Sequence, residues 1–331
     1  MARCGRRWRV YRMSDWTPWV FALALPIALL IDHFCGEPPQ RWHPVVWMGN
    51  YLNRAAAHVL PAPPTAPETR DFKAFSLGVL AWWVAVAIVL IVTLAVQWAA
   101  LQLPTLLAAL VLGLALKPML AWRMLRDETT AVEAALQQSL TAGRERLSWV
   151  VSRETAALSE SEVRESAIES LAENLNDSVV APIFWFVLLG LPGAAIYRFA
   201  NTADAMWGYR GLRHGVNWEW AGKWAAWADD ALSWLPARLT AGLLALVAGG
   251  LPLRALHREA GKTPSPNSGW PMAAMALALG VALRKPGVYT LNPAGRAPKA
   301  QDAALARKYA SKVLMVLIPW ALVAMFLIVI T

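Results

Sequence analysis

Charge is scarce in this chain: of 331 residues only 16% are Asp, Glu, Lys or Arg, while 57% are hydrophobic. A soluble domain carries about 25% charged residues, so the balance excludes a disordered chain and an ordinary cytosolic globule. Cysteine is scarcer still. Cys4 and Cys35 make no CxxC pair, no zinc-ligand spacing and no disulfide framework, which excludes a thiolate-held metal and a secreted disulfide scaffold. Glycine-rich phosphate loops are missing too: neither GxxxxGK[ST] nor GxGxxG occurs, so a standard nucleotide fold is excluded. There is no GxSxG elbow and no HExxH helix. What is plentiful is tryptophan, nineteen residues, a side chain that favours the membrane–water boundary. The composition is that of an integral membrane protein.

The formal charge of +9 is not spread like a nucleic-acid face, and no nucleic-acid partner is expected. Arg3, Arg6, Arg7, Arg9 and Arg12 crowd a basic extension over 1–15, and ten Lys/Arg lie between Arg254 and Lys312. Both groups flank apolar segments, where positive charge marks the cytoplasmic side. No small-residue cleavage site follows Trp16–Ile31, so a cleaved signal peptide is not expected; Met13 is an alternative start. Between Lys73 and Lys117 lie 43 residues without an ionisable side chain, enough for two spans of about 20 residues each. A two-span hairpin over 74–122 is predicted to turn at Leu103-Pro104-Thr105, with Lys117 snorkelling to the interface.

A C-terminal transmembrane helix is predicted over 313–331. Three segments are weaker: Trp16–Ile31 with Pro26, Ser178–Tyr197 broken by Pro182, Gly190, Pro192 and Gly193, and the short Leu239–Leu253. Counting all as crossings from a cytoplasmic N-terminus would put the basic stretch Arg254–Lys312 outside, against the positive-inside bias. At least one broken segment is therefore expected to be re-entrant or buried in protein. Pro61–Pro67 is the one linker-like patch, and there is no internal repeat. The predicted class is all-α: one polytopic, membrane-embedded helical domain over 1–331, with polar helical loops and re-entrant segments.

The polar stretches carry the chemistry. Residues 123–177 read as a polar helical segment with Gly143 as its only break, and Ser159-Glu160-Ser161-Glu162 has the capping-box form. The helix that follows holds Glu162, Glu165, Glu169, Glu173 and Asp177 within an arc of roughly 120°. Like charges at i,i+4 destabilise a helix, so this ladder needs a reason. One is a divalent cation, since Mg²⁺ takes about one or two carboxylates plus substrate phosphates; the other is a solvated acidic face. Asn174 and Asn176 beside the carboxylates, and the broken apolar segment directly after Asp177, favour the cation. A carboxylate at a membrane edge is costly unless it is used.

Asn201, Thr202, Asp204, Tyr209 and Arg210 fall within ten residues. That density suits phosphate and metal-bridged substrate recognition, or a polar loop with local caps. Asp229 and Asp230 point about 100° apart on a helix, so one at most faces a given site; an N-cap role is the alternative. Arg238 follows, and Lys223 reads as an interface anchor. His43 fits a base, a ligand or a capped loop histidine, and Ser265-Pro266-Asn267 is a rigid turn with hydroxyl and amide donors. Trp207, Trp218, Trp220, Trp224 and Trp227 read as interface anchors, with a wall for a large flat ligand as the alternative. Without a nucleotide loop, phosphate handling falls to carboxylate–metal and Arg/Lys clamps.

Six pieces stand in order: Asp32…Gly36-Glu37-Pro38 with His43-Pro44; Ser152-Arg153-Glu154-Thr155; Ile168-Glu169-Ser170-Leu171-Ala172-Glu173-Asn174 with Asp177; Tyr197-Arg198…Asn201 through Arg210; Asp229-Asp230…Pro236-Ala237-Arg238-Leu239; and Ser265-Pro266-Asn267. Together, from Asp32 to about Asn292, they resemble the CobD/CbiB family of cobalamin biosynthesis, the membrane-bound adenosylcobinamide-phosphate synthases. The resemblance implies an ATP-dependent, Mg²⁺-requiring ligase. It would join adenosylcobyric acid, a corrinoid, to (R)-1-aminopropan-2-ol or its O-phosphate through an amide bond.

Glu173, Asp177 and Asp204 are then implied as Mg²⁺ ligands, and Asp229, Asp230 or His43 as the group taking a proton from the attacking ammonium. Arg153, Arg210 and Arg238 would clamp phosphate or corrinoid groups, with Asn174, Asn201, Thr202, Tyr209, Ser265 and Asn267 also at the substrate. A bacterial cytoplasmic (inner) membrane is implied, with residues 123–177, 201–238 and 265–292 converging on a cytoplasmic site. Other cobalamin-pathway enzymes and second copies of the chain are further partners it allows. The chain departs from the family pattern at Glu154, where the family has Asp, and at Ser233, where it has Asn. Lys285-Pro286-Gly287-Val288-Tyr289 replaces its Gly-Gly before the late tyrosine. A corrinoid carrier and an AmpE-like signalling protein are the alternatives. The carboxylates occurring together with Arg210, and the lack of paired repeats, weigh against both.

Overall fold

Residues 17–31, 74–116, 178–196 and 313–330 contain no ionisable side chain. In a bilayer such backbone has to satisfy its own hydrogen bonds, which for a single segment means helix. The computed structural model describes residues 17–60, 70–213 and 215–330; the basic extension 1–15 and the Pro61–Pro67 linker lie outside them. The chain runs α1 (Thr17–Cys35), α2 (Pro44–Val59), α3 (Phe72–Leu101), α4 (Thr105–Leu116), α5 (Trp122–Gln138), α6 (Leu140–Ser148) and α7 (Glu160–Leu175). A π turn (Asn176–Val180) leads into α8 (Ala181–Trp207). After it come the pair β1 (Leu212–Arg213) and β2 (Val216–Asn217), then α9 (Lys223–Val247), α10 (Leu253–Ala260) and α11 (Gly269–Leu279). The antiparallel hairpin β3 (Leu283–Lys285) and β4 (Tyr289–Leu291) precedes α12 (Ala300–Ile330).

Six stretches among the described residues are long and apolar enough to cross a membrane. Their outward faces are apolar as well: Ile91 and Trp98 on α3 and Met315 and Trp320 on α12 are about two-thirds exposed. Water would penalise such a surface, whereas lipid solvates it. This is a polytopic helical membrane protein.

The helix pair predicted over 74–122 is present, with its turn at Gln102-Leu103-Pro104. Its second helix is short. α4 ends at Leu116, and a 3₁₀ turn at Lys117–Met119 swings the chain into α5. Lys117 does not snorkel. It is buried, with Nζ 2.8 Å from Glu37 Oε2 and 3.4 Å from Asp32 Oδ1, because those two carboxylates draw it inward. Asp32 Oδ2 also accepts from the Arg123 amide at 2.8 Å. The C-terminal ends of α1 and α4 are therefore pinned side by side.

The broken segment Ser178–Tyr197 is a re-entrant hairpin. A straight helix would set Asp177 and Arg198 about 31 Å apart, yet Arg198 Nη1 donates to Asp177 O at 3.3 Å and to Ser178 Oγ at 3.0 Å. The reversal occurs at Gly190, whose φ of 67° and ψ of −154° lie in territory almost reserved for glycine. Gln97 holds the tip by accepting from the Leu191 amide at 2.9 Å. Pro182, at the start of α8, causes no break, since a first-turn proline has no intrahelical N–H to lose.

Asp32, Lys73, Lys117, Asp177, Arg198 and Lys312 bound the four apolar stretches on one side, so the charged segments gather at one end of the bundle. The opposite end holds the start of α1, the α3–α4 turn, the Gly190 tip and the end of α12, where Trp19 packs on Phe326 at 4.7 Å between centroids. Leu239–Leu253 is no separate span: residues 239–247 complete α9. Contacts on both sides of it stay at the charged end, with Thr240 bonded to Asn176 and Arg284 to Glu165. Neither broken segment crosses, and the start of α1 lies opposite Arg254–Lys312. The five-crossing count fails for both reasons.

Smaller differences have local causes. Gly143 sits inside α6, where a side chain would overlap Leu136; the breaks fall at Ser139, which caps α6, and at residues 149–159. Residues 201–207 are the end of α8 rather than a loop, and Asp229 and Asp230 lie two turns inside α9, not at its cap. The last helix begins at Ala300, because Asp302, held by Arg296 at 2.6 Å, anchors a polar first turn ahead of the apolar part.

Candidate functional site

The acidic ladder of α7 begins at the predicted capping box. The Ser159 amide donates to Glu162 Oε2 at 2.8 Å, and Ser159 Oγ accepts from the Glu162 amide at 3.4 Å. Its next two rungs are answered by arginines. Glu165, fully buried, takes the Arg284 amide at 3.0 Å and Arg284 Nη2 at 2.6 Å; Glu169, 3% exposed, takes Arg153 Nη2 at 2.5 Å. This settles part of the like-charge problem without any ion. The last two rungs have no such answer. Among the described residues, no Lys or Arg forms an ion pair with Glu173, Asp177, Asp204, Asp229 or Asp230.

The π turn places Asp177 at the mouth of the hairpin. A π turn inserts one extra residue into a helix and is common at functional sites. Asp177 Oδ1 accepts from Asn176 Nδ2 at 2.8 Å and from the Tyr197 hydroxyl at 3.5 Å. On the returning limb, the Asn201 amide adjoins both Asp177 and Asp229. Asp204, one turn on, is within electrostatic reach of Asp177, Asp229 and Asp230, and Glu173 is within reach of Asp177, Glu169 and Asp204. The two adjacent aspartates of α9 divide as helix geometry requires. Asp229 faces this cluster, whereas Asp230 accepts from Ser265 Oγ at 3.3 Å and, through its carbonyl, from Asn267 Nδ2 at 2.7 Å.

A cation fits one side of this cleft and an anion the other. Asp229 Oδ1 and Glu169 Oε1 are buried acceptors without a hydrogen-bond partner, and Arg153 Nη1 and Arg198 Nε are buried donors without one. Buried charge left unsatisfied is costly. Glu173, Asp177 and Asp204 do not form a three-ligand metal set, for no group of three or more His, Cys, Asp or Glu among the described residues is arranged to hold one ion. A pair of them fits Mg²⁺ only with ligand oxygens supplied by substrate.

Several predicted residues are occupied elsewhere. His43 caps α2 by accepting from the Val45 amide at Nδ1 (3.2 Å), and its Nε2 donates to Glu37 at 3.0 Å, so both nitrogens are engaged. Glu37 lies outside the apolar helices. Burial alone would raise its carboxyl, but the bonds from His43 and Lys117 hold it below its ordinary value. Arg238 stacks on Trp234 and Trp270 and donates to Asn267 Oδ1 at 2.9 Å, which fixes the Ser265–Asn267 turn. Asn174 and Thr202 bond back to Ser170 and Arg198 on their own helices, and the Tyr209 hydroxyl to Ala205 O. Arg210 is exposed at the rim, within reach of Asp230. Trp207, fully buried, stacks on Trp218, and Trp224 packs against the buried Trp82, which is core packing and not interface anchoring; Trp220 lies on Phe72 and Trp227 is half-exposed.

Sequence reasoning missed four contributors. Tyr197 and Arg198 come back to Asp177 only because the chain reverses; the signals were the run of breakers before them and their place in the family pattern, to which no site role had been attached. Lys285 and Tyr289 arrive on the β3–β4 hairpin: Lys285 is within electrostatic reach of Glu169 and Glu173, and the Tyr289 hydroxyl adjoins Glu169. Burial and those two carboxylates push the Tyr289 hydroxyl well above its ordinary value, so it remains a donor.

These features define a membrane-embedded helical protein whose polar cleft, rich in uncompensated carboxylates, opens at one end of a re-entrant hairpin. The family model described as CobD/Cbib protein matches residues 25–317. The chain belongs to this family. It is 37% identical over 284 residues to the probable cobalamin biosynthesis protein CobD of Methanothermobacter thermautotrophicus, covering 81% of this chain and 86% of that one. With the cobalamin biosynthesis protein CobD of Chromobacterium violaceum the identity is 42% over 266 residues, 79% of this chain and 81% of that one. The Pyrococcus furiosus probable cobalamin biosynthesis protein CobD aligns over 93% of this chain and 97% of its own at 36% identity. No solved structure matches the chain.

Proposed function

We propose that the protein acts in cobalamin biosynthesis as an ATP-dependent ligase. It would join a propionate side chain of adenosylcobyric acid to (R)-1-aminopropan-2-ol or its O-phosphate. The observation that carries this reading is the group Glu173, Asp177, Asp204 and Asp229, within electrostatic reach of one another through Asp177 and without an ion-paired Lys or Arg among the described residues. Such an arrangement is expensive unless a ligand completes it. The curated relatives named for cobalamin biosynthesis support the pathway.

A carboxylate is a poor electrophile, so amide formation needs its oxygen first transferred to phosphorus. The propionate oxygen attacks the γ-phosphorus of ATP, ADP leaves, the amine attacks the acyl carbon, and inorganic phosphate departs. Bound Mg²⁺ would neutralise phosphate charge, and Glu173 with Asp177 would hold it. The chain's own residues do the rest. Arg198, tied to Asp177 O with Nε free, and Arg153, with Nη1 free, offer donors to developing oxyanions. Asp229, with an unbonded Oδ1, is the best-placed base for the ammonium proton; His43, with both nitrogens engaged, is not.

Positive charge at the end holding the cleft supports a cytoplasmic opening in the inner membrane, where ATP is available. The test is the detergent-purified protein with adenosylcobyric acid, aminopropanol phosphate and Mg²⁺, with and without ATP, read by mass spectrometry. An amide formed only with ATP is expected. Corrinoid binding without product would instead favour a carrier or sensor on this scaffold.

A further inference from the structure

The cleft has two electrostatic halves, and one has no ligand assigned to it. On one side stand Asp177, Asp204 and Asp229. On the other, Arg153 from the loop before α7 and Lys285 from β3 flank Glu169 and Glu173, with the Tyr289 hydroxyl beside them. Arg153 spends one amino group on Glu169 and leaves Nη1 buried and unbonded; Glu169, 3% exposed, leaves Oε1 unbonded. Lys285 makes no ion pair within 4 Å among the described residues.

The hairpin carrying Lys285 and Tyr289 is held rigidly from both strands. Arg284 is clamped to Glu165 by its amide and its guanidinium, Lys262 donates to Thr290 O at 3.3 Å, and the Asn292 amide donates to Glu259 at 2.7 Å. The strand fixes where the exposed Lys285 side chain begins, within reach of Glu169 and Glu173. The Arg153–Glu169 pair cancels its own charge and Lys285 lies within reach of Glu173, so the donors offered to a ligand are the free Arg153 amino group, the Lys285 ammonium and the Tyr289 hydroxyl, whose present bond is a long one to Met272 Sδ at 3.7 Å.

We propose that Arg153, Lys285 and Tyr289 bind a phosphoryl dianion of one of the substrates at the Glu169–Glu173 end of the cleft. The inference rests on the ligase reading above and sharpens it. It names the chemistry recognised there and makes Lys285, in the segment where this chain departs from the family's Gly-Gly before the late tyrosine, a specificity-determining residue of this chain. Two ligands carry that chemistry: the polyphosphate of ATP and the phosphate of aminopropanol O-phosphate. A cation shared with Glu173 lets acidic and phosphoryl groups coexist in one cleft.

The test uses the full chain in lipid nanodiscs with Mg²⁺. Inorganic pyrophosphate, aminopropanol O-phosphate, ATP and adenosylcobyric acid are each titrated by calorimetry against wild type, Lys285→Ala and Arg153→Lys. A hydrogen bond to a charged group is worth about tenfold or more in affinity. Lys285→Ala is therefore expected to weaken pyrophosphate and one phosphoryl substrate about tenfold while leaving adenosylcobyric acid unchanged. The substrate that weakens identifies the source, and KM for unphosphorylated aminopropanol stays constant if that source is the amine. Arg153→Lys keeps the charge and is expected to lose less than Lys285→Ala. Unchanged phosphoryl affinity in both variants, no pyrophosphate binding by wild type, or an equal loss for the corrinoid would each overturn the proposal. Lys285-dependent pyrophosphate binding by a protein that forms no amide would overturn the ligase reading alone.

Discussion

Two groups of buried charge lie at the same end of this bundle and are built in opposite ways. Asp32, Glu37, Lys117 and His43 compensate one another: the lysine sits between both carboxylates, and the histidine donates to one of them. In the cleft, by contrast, Asp177 and Asp229 have the Asn201 amide between them, Glu173 and Asp204 lie within electrostatic reach, and none of the four has an ion-paired cation among the described residues. The first group joins α1, α4 and the loop before α2, and its compensating positive charge comes from the chain itself, although Asp32 Oδ1 and Glu37 Oε1 accept no hydrogen bond. The second is incomplete until something positive arrives. The difference separates charge that holds a fold together from charge kept for a ligand, although both contain residues of the family pattern.

Exchanging the consequences of mutation between the two groups would break the comparison. Asp177→Asn is expected to cost roughly 100- to 1,000-fold in turnover, the scale of losing one preorganised electrostatic group. It should leave the thermal midpoint equal or higher, because it relieves repulsion; product by mass spectrometry and a tryptophan-fluorescence melt measure the two. Lys117→Ala should do the reverse, destabilising by about 3–5 kcal/mol through two stranded carboxylates, visible as a large drop in midpoint. The double variant Lys117→Met/Asp32→Asn is expected to recover much of it. Gly190→Ala should cost about 1–3 kcal/mol from its backbone conformation, and its Cβ would also collide with the Gln97 side chain. Activity should fall with it, since the tip sets the mouth.

The smallest effect concerns pH. The Glu37 carboxyl is held below its ordinary 4.5, so its contribution is complete above that value and is lost as pH falls through the depressed folded value. Glu37→Gln is expected to flatten the acid limb of the midpoint-versus-pH curve. An unchanged limb would mean that the His43–Glu37–Lys117 contact adds no stability.

Much of this was legible before any coordinates. The uncharged stretches, the turn at Pro104 and the Ser159 cap follow from composition and local chemistry, and so does the split of Asp229 from Asp230, because each depends on neighbours in sequence. The pairing of Asp177 with Arg198 depends on a reversal that no periodicity encodes; a run of Gly and Pro says only that a helix breaks, not that it doubles back. Lys117 misled for a similar reason. Snorkelling is the default for a lone lysine, and its two carboxylate partners lie some 80 residues away in the chain. Arg284 and Arg153, which quiet two rungs of the acidic ladder, come from a hairpin and a loop whose placement only tertiary packing fixes.

The re-entrant hairpin has a mechanical consequence. Its two limbs meet at a single glycine, while Asp177 stands at the open end of one limb and Arg198 and Asn201 at that of the other. Limbs of about twelve residues are roughly 18 Å long, so a splay of about 10° at the tip shifts the open ends by about 3 Å, one hydrogen-bond length. The tip and the mouth are therefore mechanically one unit: the Gln97 contact that fixes the backbone around Gly190 also fixes the spacing of Asp177 and Arg198.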